Sequence, residues 1–414
     1  MLAAGTRNVG WVTTTRGDHP PEDRAIEPAP GTGHSGKASG TWPVDGAISV
    51  GPALFADKAP IRPRRRANKV SLMMVSGVAA LGLGLAVGTL PVPYVVEKPG
   101  PTFNTLGEAR GGPVISVTGR EAYPAAGNLD LTTVDVDGGP NGPVSILGVF
   151  AAWLDPSKSV HPEELKYPKG TTREQAEEQG SVAMATSQEN AVASALNELD
   201  IPFSQQLQAA GFSTGSPSAG KIEQGDVFAS INGKPITSLS VIQDELAAGK
   251  GAPATVVVQR AGESVTQTIT PMDNGAGRYI LGVQLKYLFE FPFDVEISLD
   301  RVGGPSAGLM FSLGVIDTVT PGDLTGGKHI AGTGTITPDG VVGPIGGIRQ
   351  KMLGARAAGA TLFLAPAGNC NSVVGHVPGG LQVVKVENLA QARDAVELAG
   401  SGQDTSGLAA CTSN

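Results

Sequence analysis

Two glycine-rich segments carry the residues of this chain best suited to chemistry. Gly303-Gly304-Pro305-Ser306-Ala307-Gly308 leads into the apolar run Leu309-Met310-Phe311-Ser312-Leu313. Further along, Gly346-Gly347-Ile348-Arg349-Gln350-Lys351 offers an amine. A serine alcohol is a poor nucleophile until a nearby base takes its proton, and a lysine kept neutral is such a base. The pair predicts a serine–lysine hydrolase.

Both groups need positioning elements. Pro305 suits a first helical position, where its missing N–H costs nothing. Backbone N–H groups around Ser306 then lie near a helix N-terminus, where they can hold an oxyanion. Leu309, Leu313 and Ile316 fall on one face of a helix predicted over 308–319, with Met310 and Phe311 beside them, so that helix should be buried. On a second helix, predicted over 347–358, Lys351 projects over the small residues Ala355 and Ala358. Enclosure there would disfavour the ammonium and lower the lysine pKa from its usual value of about 10.4. Thr333 is a candidate to orient the neutral amine. Two blander alternatives stay open: Ser306 as a helix cap, and Lys351 as a surface lysine with a buried stem. Context matters, because Pro217-Ser218-Ala219-Gly220 repeats the serine tetrapeptide but is followed by Lys221-Ile222-Glu223 rather than an apolar helix.

The chain has 414 residues, a net charge of −8, 58 glycines and 31 prolines. Residues 1–69 hold ten Lys/Arg against six Asp/Glu, so the acidity lies in the remainder. An acidic body argues against nucleic acid as a partner. Basic charge gathers at Arg62, Arg64, Arg65, Arg66 and Lys69, directly before the uncharged apolar stretch Val70–Leu90. That stretch is long enough to span a bilayer as one helix. The basic cluster predicts a cytoplasmic N-terminus and an extracytoplasmic remainder. Ala86 and Gly88 leave a cleaved signal peptide as the competitor. Cys370 and Cys411 are the two cysteines, both on the predicted oxidising side, and allow one intramolecular disulfide. Five scattered histidines and two distant cysteines imply no metal site, and no cofactor is predicted.

The predicted organisation is α+β. Residues 1–69 read as a disordered cytoplasmic tail. Within it Gly31-Thr32-Gly33-His34-Ser35-Gly36-Lys37-Ala38 nearly matches a phosphate-binding loop, but Ala38 replaces the magnesium-binding hydroxyl and no apolar strand precedes it. Residues 70–90 form the transmembrane helix. Residues 91–199 form a membrane-proximal region, a packing layer with strands near 113–117 and 129–136. There a polar stretch, 167–180, precedes a helix around 188–199. Residues 200–272 form a β-rich unit with a hairpin turn at Asn232-Gly233. Residues 275–400 alternate strands and helices, including a strand over 330–336, and 401–414 form a tail.

Three resemblances follow from these residues. The run Gly215-Ser216-Pro217, Ile222-Glu223-Gln224-Gly225-Asp226-Val227 and Ile231-Asn232-Gly233-Lys234-Pro235-Ile236 resembles bacterial PDZ domains, which implies binding of extended peptides at a sheet edge. No groove residue is assigned from the sequence. Gly304–Gly308 and Gly340-Val341-Val342-Gly343-Pro344-Ile345-Gly346-Gly347-Ile348-Arg349-Gln350-Lys351 resemble the serine and lysine motifs of the Lon proteolytic domain. Thr333-Gly334-Thr335-Ile336 is similar to the family's "TGEI", with Thr335 in place of the acidic residue. This implies Ser306 as nucleophile, Lys351 as general base and Thr333 as their support. The layout from about residue 70 to 400, with Tyr94–Thr102 after the membrane segment and no ATPase module read ahead of the catalytic part, resembles the membrane-anchored Lon-like PDZ proteases of bacteria.

The expected function is an ATP-independent serine endopeptidase acting on extracytoplasmic or membrane-associated polypeptides. The sequence leaves room for a homo-oligomer. One alternative is an inactive, membrane-tethered PDZ adaptor. Another is an α/β-hydrolase elbow at Ser306, which needs His329 or His376 with Asp317, Asp323 or Asp339.

Overall fold

A computed structural model describes residues 69–109, 111–299 and 302–412. The near-match to a phosphate loop at 31–38 lies outside them. Helix α1 (Lys69–Gly88) coincides with the predicted apolar segment. Its stretch Val70–Gly88 is long and apolar enough to cross a membrane. The described residues are mixed helix and strand.

Eleven strands form two six-membered sheets with one short addition. In chain order they are β1 (Tyr94–Asn104), β2 (Asn128–Gly138), β3 (Ser159–Pro162), β4 (Ser204–Phe212), β5 (Val227–Ile231), β6 (Ala254–Arg260), β7 (Glu263–Ile269), β8 (Val283–Glu290), β9 (His329–Gly332), β10 (Leu362–Pro366) and β11 (Gln382–Val386). The first sheet runs β11-β10-β9-β2-β1-β3. Its β11, β10, β9 and β2 are mutually parallel, and β1 and β3 are antiparallel additions.

Strands from 91–199 and from 275–400 therefore share one sheet, where the sequence had suggested a separate packing layer. Ile330 is paired with Leu129 and Ala331 with Asp130. The physical reason is burial. Leu129, Leu131, Ile330, Leu362 and Leu364 are all buried in one core, and neither set of strands covers that core alone. Helix α3 (Arg173–Glu198) also begins well before the predicted 188. Thr172 and Gln175 form a reciprocal capping box at its start, the local signal that marks a helix N-terminus in a polar stretch.

The second sheet runs β7-β6-β5-β4-β8, with Lys234–Pro235 added beside β5. Asn232 and Gly233 take the positive φ of the predicted hairpin turn. β8 lies beyond the predicted span 200–272, yet it pairs along the whole of β4. Phe228, Ile231, Val256, Val258 and Ile269 fill this sheet's own core, under α4 (Leu239–Gly249). Arg260 binds the carboxylate of buried Asp226, holding the turn before β5.

Four more helices complete the half built around the first sheet. Helix α5 (Gly308–Val319) is buried on all sides, with Leu309, Met310, Phe311 and Leu313 fully enclosed. Helix α6 (Ile348–Ala358) packs Ile348, Met352 and Ala355 against Phe363 and Ala365. A short helix α7 (Cys370–Val373) carries Cys370, which forms a disulfide with Cys411. Helix α8 (Leu389–Gly400) closes the core with Leu389, Ala392, Ala395 and Val396.

Candidate active site

The predicted strand 330–336 breaks at Thr333-Gly334, and that break builds the site. β9 ends at Gly332, and the chain resumes pairing only at Thr335–Ile336 with Val342–Gly343. In the gap, the Gly334 N–H donates to the Ser306 carbonyl at 2.9 Å. The Thr333 hydroxyl donates to the same carbonyl at 2.9 Å. Two donors thus hold the main chain of Ser306 just ahead of α5.

Helix α3 braces the same turn from the other side. Ser187 Oγ donates to the Pro305 carbonyl at 3.0 Å, and the Gly304 N–H donates to the Gly180 carbonyl at 2.9 Å. Gly304 has φ +89°, which favours glycine. A Cβ on Gly308 would meet Ile336 Cγ2 at 2.8 Å and Ser187 Oγ at 2.9 Å, so glycine lets α5 start this close to its neighbours. Gly180 and Ser187 were not singled out in the sequence, because their partners lie more than a hundred positions away.

Lys351 enters from the first turn of α6. Gly347, at φ +67°, starts that helix, and a Cβ there would strike Val134 Cγ2 at 2.6 Å. The Lys351 side chain is only 3% exposed. Its Nζ lies 2.7 Å from Ser306 Oγ and 2.8 Å from Thr333 Oγ1. Burial pushes the amine down to about 7, the Lys166 cation pushes the same way, and the Glu97 carboxylate opposes them. Glu97, on β1, is itself buried and ion-paired with Lys166. Glu97 and Lys166 were also missed. Tyr94–Thr102 stood out in the sequence, but nothing local linked its carboxylate to a lysine far downstream.

The structure thus brings together all three predicted residues, Ser306, Lys351 and Thr333. Ser306 does not cap α5, whose N-cap is Ala307, and Lys351 is not a surface lysine. A cavity of about 680 Å³ opens over Ser306 and Lys351, lined by Leu131, Thr132, Val134, Lys166, Met184 and Val302 among others. The histidines of the elbow alternative serve elsewhere. His329 Nε2 pairs with Asp130 at 2.8 Å, and His376 Nδ1 contacts the Val374 carbonyl. Ser218, in the repeated tetrapeptide, spends its hydroxyl proton on the Leu281 carbonyl.

A serine hydroxyl, a buried lysine amine and a threonine hydroxyl thus meet at one site. Residues 301–397 match the family model described as the Lon protease (S16) C-terminal proteolytic domain, and the chain carries such a domain. It is 42% identical over 103 residues to Lon protease 2 of Herpetosiphon aurantiacus, covering 23% of this chain and 12% of that one. It is 44% identical over 66 residues to the Lon protease of Roseiflexus castenholzii, covering 16% and 8% respectively. The chain therefore spans a small part of these relatives. Among solved structures it is similar to the PDZ domain of an SdrC-like protein from Listeria innocua. That match has 18% identity and a TM-score of 0.18, and covers 19% of this chain and 92% of the other.

Proposed function

We propose that this protein is a membrane-anchored, ATP-independent serine endopeptidase whose Ser306 and Lys351 form a catalytic dyad supported by Thr333. The observation that carries the reading is the 2.7 Å approach of a buried, weakly basic Lys351 amine to the Ser306 hydroxyl.

The hydrogen bonds of Thr333 support it. Thr333 has one hydroxyl proton, and it is given to the Ser306 carbonyl. Its oxygen is then an acceptor for one N–H of Lys351. A neutral amine so held turns its lone pair to Ser306, whose O–H donates to it. Ser306 Oγ attacks the scissile carbonyl carbon while its proton passes to Lys351 Nζ. The N–H groups of Ser306 and Ala307, just before α5, are the donors suited to the oxyanion. As the C–N bond breaks, Lys351 returns the proton to the leaving amine. A water then repeats the steps on the acyl-enzyme, losing its proton to Lys351 and releasing the acid and Ser306.

The remaining assignments rest on the sequence. The unit built on β4–β8 acts as a PDZ-like module that presents or gates an extended peptide. Helix α1 anchors the chain, with the basic segment before it in the cytoplasm and the protease domain outside. Residues 1–69, 70–90, 91–199, 200–272, 275–400 and 401–414 remain the proposed divisions, with 91–199 contributing strands to the catalytic sheet.

The test is cleavage of an unfolded protein by the wild type, Ser306→Ala and Lys351→Ala, with folding checked by circular dichroism. Activity in the wild type and loss in both variants is expected. Full activity in Lys351→Ala would sink the dyad, and no cleavage by the wild type favours the adaptor alternative.

A further inference from the structure

Helix α2 (Ile146–Trp153) carries an apolar face that no part of the described chain covers. Ser145 caps it by accepting the Gly148 N–H, and Val149 and Ala152 turn inward and are buried. The other face is exposed: Phe150 is 57% exposed, Trp153 62% and Leu154 73%, with Ile146 and Leu147 beside them. At helical spacing these five residues fall within an arc of about 120°. The helix contains no charged residue. Exposed apolar surface this concentrated marks a contact site rather than ordinary surface.

Its place in the fold says what covers it. Pro91–Val92 pairs with Val144–Ser145, so the segment that follows the apolar helix and the start of α2 are hydrogen-bonded together. The Ile146 N–H donates to the Leu90 carbonyl at 3.1 Å, and Leu147 fills the space where Gly88 would carry a Cβ. The chain end of the apolar segment and the exposed face are therefore neighbours. If α1 spans a bilayer, α2 begins at its surface. A tryptophan beside Phe and Leu on one helix face is the composition of an interfacial helix.

We propose that α2 lies in the lipid interface of the membrane that α1 crosses, inserting Leu147, Phe150, Trp153 and Leu154 among the headgroups and upper acyl chains. The inference rests on the anchoring reading. It makes the catalytic half a two-point attachment, held by the span and by α2, at a fixed height and orientation above the bilayer. Substrates reaching Ser306 are then polypeptide segments that emerge close to the membrane surface.

The experiment uses the full chain with Trp11→Phe and Trp42→Phe, which leaves Trp153 as the one tryptophan. It is reconstituted in phosphatidylcholine–phosphatidylglycerol vesicles, with lipids brominated at shallow or deep acyl positions. Flotation of the vesicles reads anchoring, and Trp153 emission reads α2. The proposal expects co-flotation, with most of the emission lost to shallow bromines and less to deep ones. Co-flotation with emission untouched by bromine at any depth overturns the surface proposal and leaves anchoring standing. A blue-shifted emission that bromine does not reach overturns it in favour of cover by a second copy of the chain. Failure to float overturns the anchoring reading and this proposal together.

Discussion

Thr333 donates its only hydroxyl proton to the main-chain carbonyl of Ser306, at 2.9 Å. That commitment leaves the threonine oxygen free to accept from Lys351, and so fixes which way the amine faces. One hydrogen bond to the backbone thus sets the direction of another between side chains.

Replacing that threonine tests the arrangement. Thr333→Val keeps the shape but offers Lys351 no acceptor and the Ser306 carbonyl one donor fewer. Losing such a bond should lower kcat by on the order of tenfold to a hundredfold. Thr333→Ser should restore most of the rate. Equal activity in the valine and serine variants would remove the orienting role.

The pH dependence follows from the direction of the lysine shift. As the proposed base, Lys351 acts only when neutral, so activity should rise with pH through about 7. Lys166→Gln removes a cation that pushes the amine down, so its acid limb should move to higher pH. Glu97→Gln removes the opposing carboxylate, and the limb should move the other way. A kcat/KM profile of each variant on a peptide substrate checks both signs.

Stability carries the same signature. The native Lys351 binds its proton less tightly than the unfolded chain does, with a pKa of about 7 against 10.5. Between those values the unfolded state holds the extra proton, so this group makes stability rise with pH by about 1.4 kcal/mol per unit. Below pH 7 the full cost of burying the charge is present. Lys351→Met should abolish that slope while raising stability at pH 7, measured by urea unfolding across the range.

Close packing at the serine turn predicts a further loss. Gly308→Ala places a methyl 2.8 Å from Ile336 Cγ2 and 3.2 Å from the Ile336 nitrogen. Overpacking of this kind costs about 1–3 kcal/mol. Because the crowded atoms border Thr333-Gly334, kcat should fall with stability, read from thermal unfolding and from cleavage rate.

The Cys370–Cys411 bridge closes a loop across 41 positions and ties the C-terminal segment to α7. Cys370→Ser with Cys411→Ser should cost on the order of 2–4 kcal/mol in denaturant unfolding. The dyad should keep its activity under conditions where the variant stays folded.

Much of the half around Ser306 and Lys351 was legible because its signals are local. The apolar run after Ser306 gave α5 at 308–319, and the helix expected over 347–358 matches α6 to within one residue. The strand expected across 330–336 was misread at Thr333-Gly334. Its apolar pattern continues, but the backbone leaves the sheet to donate to Ser306. The start of α3 was misread for the opposite reason: its first turns are polar, and only Thr172 and Gln175 announce them.

Residue types and short spacings fixed the chemistry on offer: an alcohol before a buried helix, an amine on a second one, and a threonine beside a glycine. These depend on neighbours within a few positions, where side-chain volume and backbone freedom act directly. Tertiary structure decided the rest. It paired β2 with β9, set Gly180 and Ser187 behind Ser306, and placed the Glu97–Lys166 pair near Lys351. Those relations join segments a hundred or more residues apart, and they arise only when one core must be covered from every side.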